Sequence, residues 1–107
     1  MSSDPGFVLH PEAAVDIIEI WEYVASDSPK AARRVREDIM NAPRNLVAFP
    51  RQGFRRPDIT SRALRFKLVR DYLIAYAPSE NSMWVVAVIH GRRSPRFMAR
   101  ILRGREI

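Results

Sequence analysis

Leu64-Arg65-Phe66-Lys67-Leu68-Val69-Arg70-Asp71-Tyr72-Leu73-Ile74-Ala75-Tyr76-Ala77 has the alternating pattern of a β-hairpin. Leu64, Phe66 and Leu68 alternate with Arg65, Lys67 and Val69. A period of two belongs to a strand with one core face and, here, one largely cationic face. Arg70-Asp71 reads as a tight turn and Tyr72–Ala77 as the returning strand. Pro78-Ser79-Glu80-Asn81-Ser82 has the composition of a second turn. Met83–His90 is apolar on both alternating sets, as in a central strand buried on both faces, and Gly91 ends it. The stretch predicts a three-stranded antiparallel meander.

Upstream of the meander the period changes to that of helices. Phe7-Val8-Leu9-His10 is a short apolar run, expected as a first strand. Pro11 and Glu12 suit the first turn of a helix, where a missing N–H costs nothing and a negative charge meets the helix dipole. Ala14, Ile17, Ile18, Trp21 and Ala25 are expected on its buried face, with Glu12, Asp16 and Glu19 on the solvated one. Ser26-Asp27-Ser28-Pro29 stops this helix and caps the next. The second helix is expected to bury Ala32, Val35, Ile39 and Ala42 and to expose Arg33, Arg34, Arg36, Glu37 and Asp38. Proline inside a helix removes a hydrogen bond and costs roughly 3 kcal/mol, so Pro43 predicts a kink or break over 41–44. A loop rich in arginine follows from Phe49 to Arg62. After the meander, Ser94 or Pro95 begins a basic segment in which Phe97, Met98, Ile101 and Leu102 share one helical face. The fold class is α+β: a short N-terminal strand, a helical hairpin, a three-stranded antiparallel meander and a short C-terminal helix. Helices cover one face of the sheet, and the other is expected to be open to solvent or a partner. With 107 residues, the chain is read as a single domain, 1–107.

Composition removes several chemistries. There is no cysteine, so disulfides and thiolate chemistry are excluded. His10 and His90 form no metal-binding pair, and neither a metal nor a cofactor is expected. No apolar run reaches the roughly 18 residues of a membrane span. Residues 1–6 lack the basic and apolar regions of a signal peptide, so a cytoplasmic location is expected. The net charge of +6 is unevenly placed: residues 1–29 hold six acids and no Lys or Arg, whereas residues 51–107 hold thirteen Lys or Arg against four acids. Such a field draws a polyanion or an acidic protein.

The order of elements, and the residues within them, resemble the RelE/ParE superfamily of bacterial toxins, and more closely its ParE branch. Val8-Leu9-His10-Pro11-Glu12-Ala13, Asp16-Ile17 and Ile20-Trp21-Glu22-Tyr23 are similar to the family's first strand and helix. Phe49-Pro50 with Gly53 resembles its proline–glycine loop. Leu73-Ile74-Ala75-Tyr76 resembles its tyrosine-containing strand, and Val88-Ile89-His90-Gly91-Arg92-Arg93 its last strand and basic exit. These pieces span nearly the whole chain. Two departures stand out: Pro43 lies where the second helix usually continues, and no tyrosine follows Tyr76. RelE-type ribonucleases commonly carry a C-terminal tyrosine or other aromatic, and only Phe97 is left for that place.

The resemblance implies a toxin neutralised by a cognate antitoxin whose C-terminal segment wraps it in a hetero-oligomer. Given the basic toxin, that segment is expected to be acidic and amphipathic. A ParE-like toxin would inhibit DNA gyrase, with no membrane partner. The alternative is a RelE-like endoribonuclease acting on mRNA at the ribosome, and a third reading is an inactive member kept for antitoxin binding. RNA cleavage through the 2′-hydroxyl needs a base, an acid and cations for the developing charge. His90 with Arg65, Lys67 and Arg93 sketches such a centre, but no carboxylate stands near His90 in sequence. On the alternation His90 shares a face with Trp84, Val86 and Val88, and a structural role fits it equally. His10 is expected to be structural, and Trp21 and Trp84 to be core. A gyrase inhibitor needs a binding surface instead, for which the candidates are Arg92, Arg93, Arg96 and Arg100. Arg96, Arg100 and Arg103 form one helical stripe, suited to phosphates or to an acidic protein segment.

Overall fold

The computed structural model describes residues 6–78 and 82–106. Among them the elements run β1 (Phe7–Leu9), α1 (Pro11–Ala25), α2 (Pro29–Ala48), β2 (Arg65–Val69), β3 (Tyr72–Ala77), β4 (Met83–His90) and α3 (Pro95–Arg103). This is the order that the periodicities predict. The turn expected over Pro78–Ser82 falls on residues 79–81, which lie outside the described residues. Each helix starts on a side chain that accepts an otherwise orphaned N–H: His10 from Glu12, Ser28 from Ala31 and Ser94 from Phe97.

The sheet has the order β1-β4-β3-β2, with β2, β3 and β4 antiparallel and β1 parallel to β4. The tight turn at Arg70-Asp71 puts Arg70 at φ 55°, in the left-handed region that short hairpins use. The Arg70 side chain then reaches Asp38 of α2 at 2.7 Å, tying the hairpin tip to the helices.

Four local expectations are corrected. The buried stripe of α1 is Ala13 and Ile17 with Ile20 and Val24 packed beside them, and Ile18 is exposed. The stripe is turned by about one residue from the expected one, and Trp21 is only half-buried. The break predicted at Pro43 does not occur, because Pro43 lies fully buried on the stripe that carries Ile39 and Leu46. Burial of its ring offsets the hydrogen bond that the Ile39 carbonyl forgoes. The second face of the sheet is not open. Met98 and Leu102 of α3, with Ile59 and Leu64 of the loop, cover Phe66, Leu73, Ala75 and Ile89 there. Leu68, at the end of the same alternation, lies beyond this cover and is exposed.

The fourth correction concerns β4. Ala75 pairs with Ala87 and Tyr76 with Val85, so Val86 is an extra residue without a partner in β3. A bulge shifts the alternation. Val85 and Val88 face α1 and α2, whereas Val86, Ala87 and Ile89 face α3. His90 therefore keeps the face of Val88 but loses that of Val86. Trp84, expected in the core, is only half-buried.

The long loop after α2 is pinned by Tyr76. Its buried hydroxyl accepts from the Gly53 N–H at 2.9 Å and donates to the Pro50 carbonyl at 2.8 Å. A Cβ at position 53 would collide with that hydroxyl, which explains the glycine. Burial raises the Tyr76 pKa, so the phenol stays protonated. Tyr76→Phe leaves the Gly53 N–H without its acceptor. A loss of about 1–3 kcal/mol is expected, read as a lower midpoint in urea with an unchanged m-value.

Candidate functional site

β1 pairs with β4 only over Met83–Val85. Beyond Val85 the chain of β1 has turned into α1, so the second half of β4 has a strand on one side only. An N–H and C=O on such an edge need other partners. Asp16 of α1 accepts from the Val88 N–H at 3.0 Å, and Arg105, just past α3, donates to the Val86 carbonyl at 3.1 Å. Asp16 and Arg105 also form a two-pronged ion pair, with one prong at 2.9 Å. Arg105 is 7% exposed and is the one charged residue among the described residues to count as buried. The Asp16 carboxylate raises its pKa, so the guanidinium stays charged.

This pair forms one end of a groove of about 660 Å³ between α1, the end of β4 and α3. Ile20 and Val24 supply an apolar wall from α1, and Phe97 and Ile101 supply the facing wall from α3. Tyr72 and His90 lie between them, ring edge to ring face at 5.3 Å. Burial, aided by Asp71, raises the Tyr72 pKa and keeps its phenol protonated. Arg92 and Arg93 stand at the lip, and the Arg93 guanidinium lies 4.4 Å over the Phe97 ring. Glu19 and Asp71 also line the groove. The carboxylates that sequence distance hid from His90 thus come from α1 and from the β2–β3 turn.

The His90 ring is fixed by its own turn. Its Nδ1 accepts from the Arg92 N–H at 3.1 Å, as Nδ1 of His10 accepts from Glu12 at 3.0 Å. An accepting nitrogen carries no proton, so the neutral ring holds its proton on Nε2. The Arg92 bond and the edge contact with Tyr72 hold the ring in place at the groove. His10 is structural, as expected.

The four residues of the ribonuclease sketch are not brought together. Arg65 pairs with Tyr76 and His90 with Tyr72, four positions apart on β3. At about 3.3 Å per residue, that is roughly 13 Å along the strand. Arg65 instead donates to the Gly53 carbonyl at 2.8 Å, and Lys67 lines a separate hollow with Asp38 and Asn41. Arg93 alone of that set joins His90. Of the surface candidates, Arg92 and Arg93 reach the groove, while Arg96 and Arg100 lie exposed along α3 outside it.

Sequence reasoning missed Asp16 and Arg105. The signal was there: Ala13, Asp16, Ile17 and Ile20 share a helical face, and Met98, Leu102 and Arg105 continue one spacing. Asp16→Asn or Arg105→Gln strands a partly buried charge, which costs roughly 3 kcal/mol. In a double-mutant cycle read by denaturant unfolding, the double variant is expected to lose little more than the worse single one.

A family model described as the ParE toxin of the type II toxin-antitoxin system, parDE, matches residues 7–95. That match stops at the start of α3, so Arg96, Arg100 and Arg105 lie beyond it. Among solved structures the chain is similar to the chromosomal ParDE TA system from P. aeruginosa. The likeness has 18% sequence identity and a TM-score of 0.64, and covers 81% of this chain and 98% of that one. At this identity it is the fold that the two share. No curated protein matches the chain.

Proposed function

Because the chain belongs to the ParE toxin family of type II toxin–antitoxin systems, we propose that it inhibits DNA gyrase, and so replication, until a cognate antitoxin covers it. The observation that carries this reading is that the four residues of the ribonuclease sketch are not brought together. Arg65 is held at the Gly53 carbonyl and Lys67 lines a separate hollow, so the cations that RNA cleavage would need beside His90 are not gathered there. Inhibition of a protein target needs a contact surface instead, and the groove supplies the ingredients of one: apolar walls, Tyr23 and Tyr72, and a cationic lip.

In this reading Arg92 and Arg93 make the first contacts with gyrase, and Arg96 and Arg100 extend the cationic surface along α3. Arg93 is the better anchor, because stacking on Phe97 costs it less freedom on binding. The antitoxin is a partner of the opposite character. Its C-terminal segment is acidic to meet the lip and amphipathic to fill the space between Ile20, Val24, Phe97 and Ile101. The complex is a hetero-oligomer, and its place of action is the cytoplasm. No helix among the described residues is long and apolar enough to cross a membrane.

Induction of the chain without its antitoxin tests this directly. The expected result is an SOS response, filamentous cells and intact mRNA. His90→Ala is expected to keep toxicity, while Arg92→Glu with Arg93→Glu abolishes it at equal protein level. Cleaved mRNA with an early stop in translation, removed by His90→Ala, would overturn the proposal in favour of a ribosome-dependent endoribonuclease.

A further inference from the structure

The end of the sheet remote from the groove holds a second cationic feature, built by the loop between α2 and β2. Arg65 extends from the first position of β2, and its Nη1 donates to the Gly53 carbonyl at 2.8 Å and to the Arg51 carbonyl at 3.4 Å. These bonds fix the loop backbone that carries Arg51. Arg51, Arg55 and Arg65 then line one hollow of about 230 Å³, completed by Ala63 and Pro78. Among the described residues no carboxylate lines it. Asp58, the one acid of the loop between α2 and β2, is held by Arg56 through two hydrogen bonds of 2.8 and 2.7 Å.

Three guanidiniums around one opening repel one another unless an anion joins them, and their planar forks match the oxygens of a phosphate. The surroundings add a second requirement. Arg51 also lines the adjoining hollow, formed with Ala48, Phe49, Pro50 and Gln52. Phe49 is 67% exposed there, and Phe54 in the same loop is 44% exposed. A flat aromatic face beside a phosphate cradle is the chemistry that holds a single nucleic-acid strand, with a base on the ring and its phosphate on the arginines. An acidic protein segment would meet the cations equally, but it brings a flat ring only where an aromatic residue falls, whereas every nucleotide brings one.

We propose that Arg51, Arg55 and Arg65, with Phe49, form a binding site for single-stranded nucleic acid, separate from the His90 groove. Among the described residues the phosphate cradle is lined by arginine, alanine and proline. The site is independent of the gyrase reading and survives or fails without it.

Fluorescence anisotropy of the full chain with labelled twelve-nucleotide single strands, DNA and RNA, tests the site. Three phosphate contacts give a slope of log affinity against log salt of about −2. Arg51→Gln with Arg55→Gln is expected to weaken binding at least tenfold and to bring the slope to about −0.7, the value for the one contact left. Both residues are exposed, and Arg65 is left in place because it holds the loop. Phe49→Ala is expected to weaken binding fivefold or more, and Arg96→Gln with Arg100→Gln to change it less than twofold. Equal losses from the two arginine pairs would reduce the effect to diffuse charge and overturn the site. Unchanged binding by the Arg51 and Arg55 variant would do the same. A twelve-residue polyglutamate that displaces the strand at equal concentration, with no effect of Phe49→Ala, would assign the hollow to an acidic protein instead.

Discussion

The second half of β4 has a strand on one side only, and the Asp16–Arg105 pair closes the other side. A central strand needs its backbone groups satisfied on both edges, yet β1 ends after three residues and gives way to α1. The bulge at Val86 adds a carbonyl to the exposed edge. One carboxylate from α1 and one guanidinium from the tail take a backbone group each and then neutralise one another. The pair thereby joins the first helix, the last strand and the end of the chain at a single point. It also denies the free edge to an intruding strand, which would have to break the ion pair before finding a ladder of open groups.

The groove follows from this closure. Because side chains rather than another strand finish the edge, α1 and α3 stand on either side of it with space between their apolar residues. β4 delivers His90 to the end of that space, and the turn behind it delivers Arg92 and Arg93. The same turn takes the His90 acceptor nitrogen for its own backbone. What faces the opening is a cationic lip above apolar walls, with the carboxylates of Glu19 and Asp71 beside it.

Most of the fold was legible in the sequence because its periods are clean. The alternation from Leu64, the apolar run at Met83–His90 and the caps at Ser28 and Ser94 fixed element types and order. The misread features share one physical cause: each depends on a contact distant in sequence. Pro43 continues its helix only because the core accepts its ring. The face of α1 was misjudged because Asp16 was counted as solvated, when its partner lies 89 residues away. The bulge at Val86 leaves no mark on an all-apolar strand, so it reassigned faces unseen. Of the candidate site, His90 and the arginines at its exit were legible as a local run. Tyr72, Asp16 and Arg105 were not, because only the antiparallel register and the returning tail bring them there.

Gyrase is the proposed target of this chain. The most direct test is supercoiling of relaxed plasmid by purified gyrase and ATP, with the purified chain added in increasing amounts and an RNA strand present in the same tube. Supercoiling is expected to stop in a dose-dependent way and to return on addition of the antitoxin, with the RNA left whole. Unimpaired supercoiling at a large excess of a folded chain would contradict the proposal.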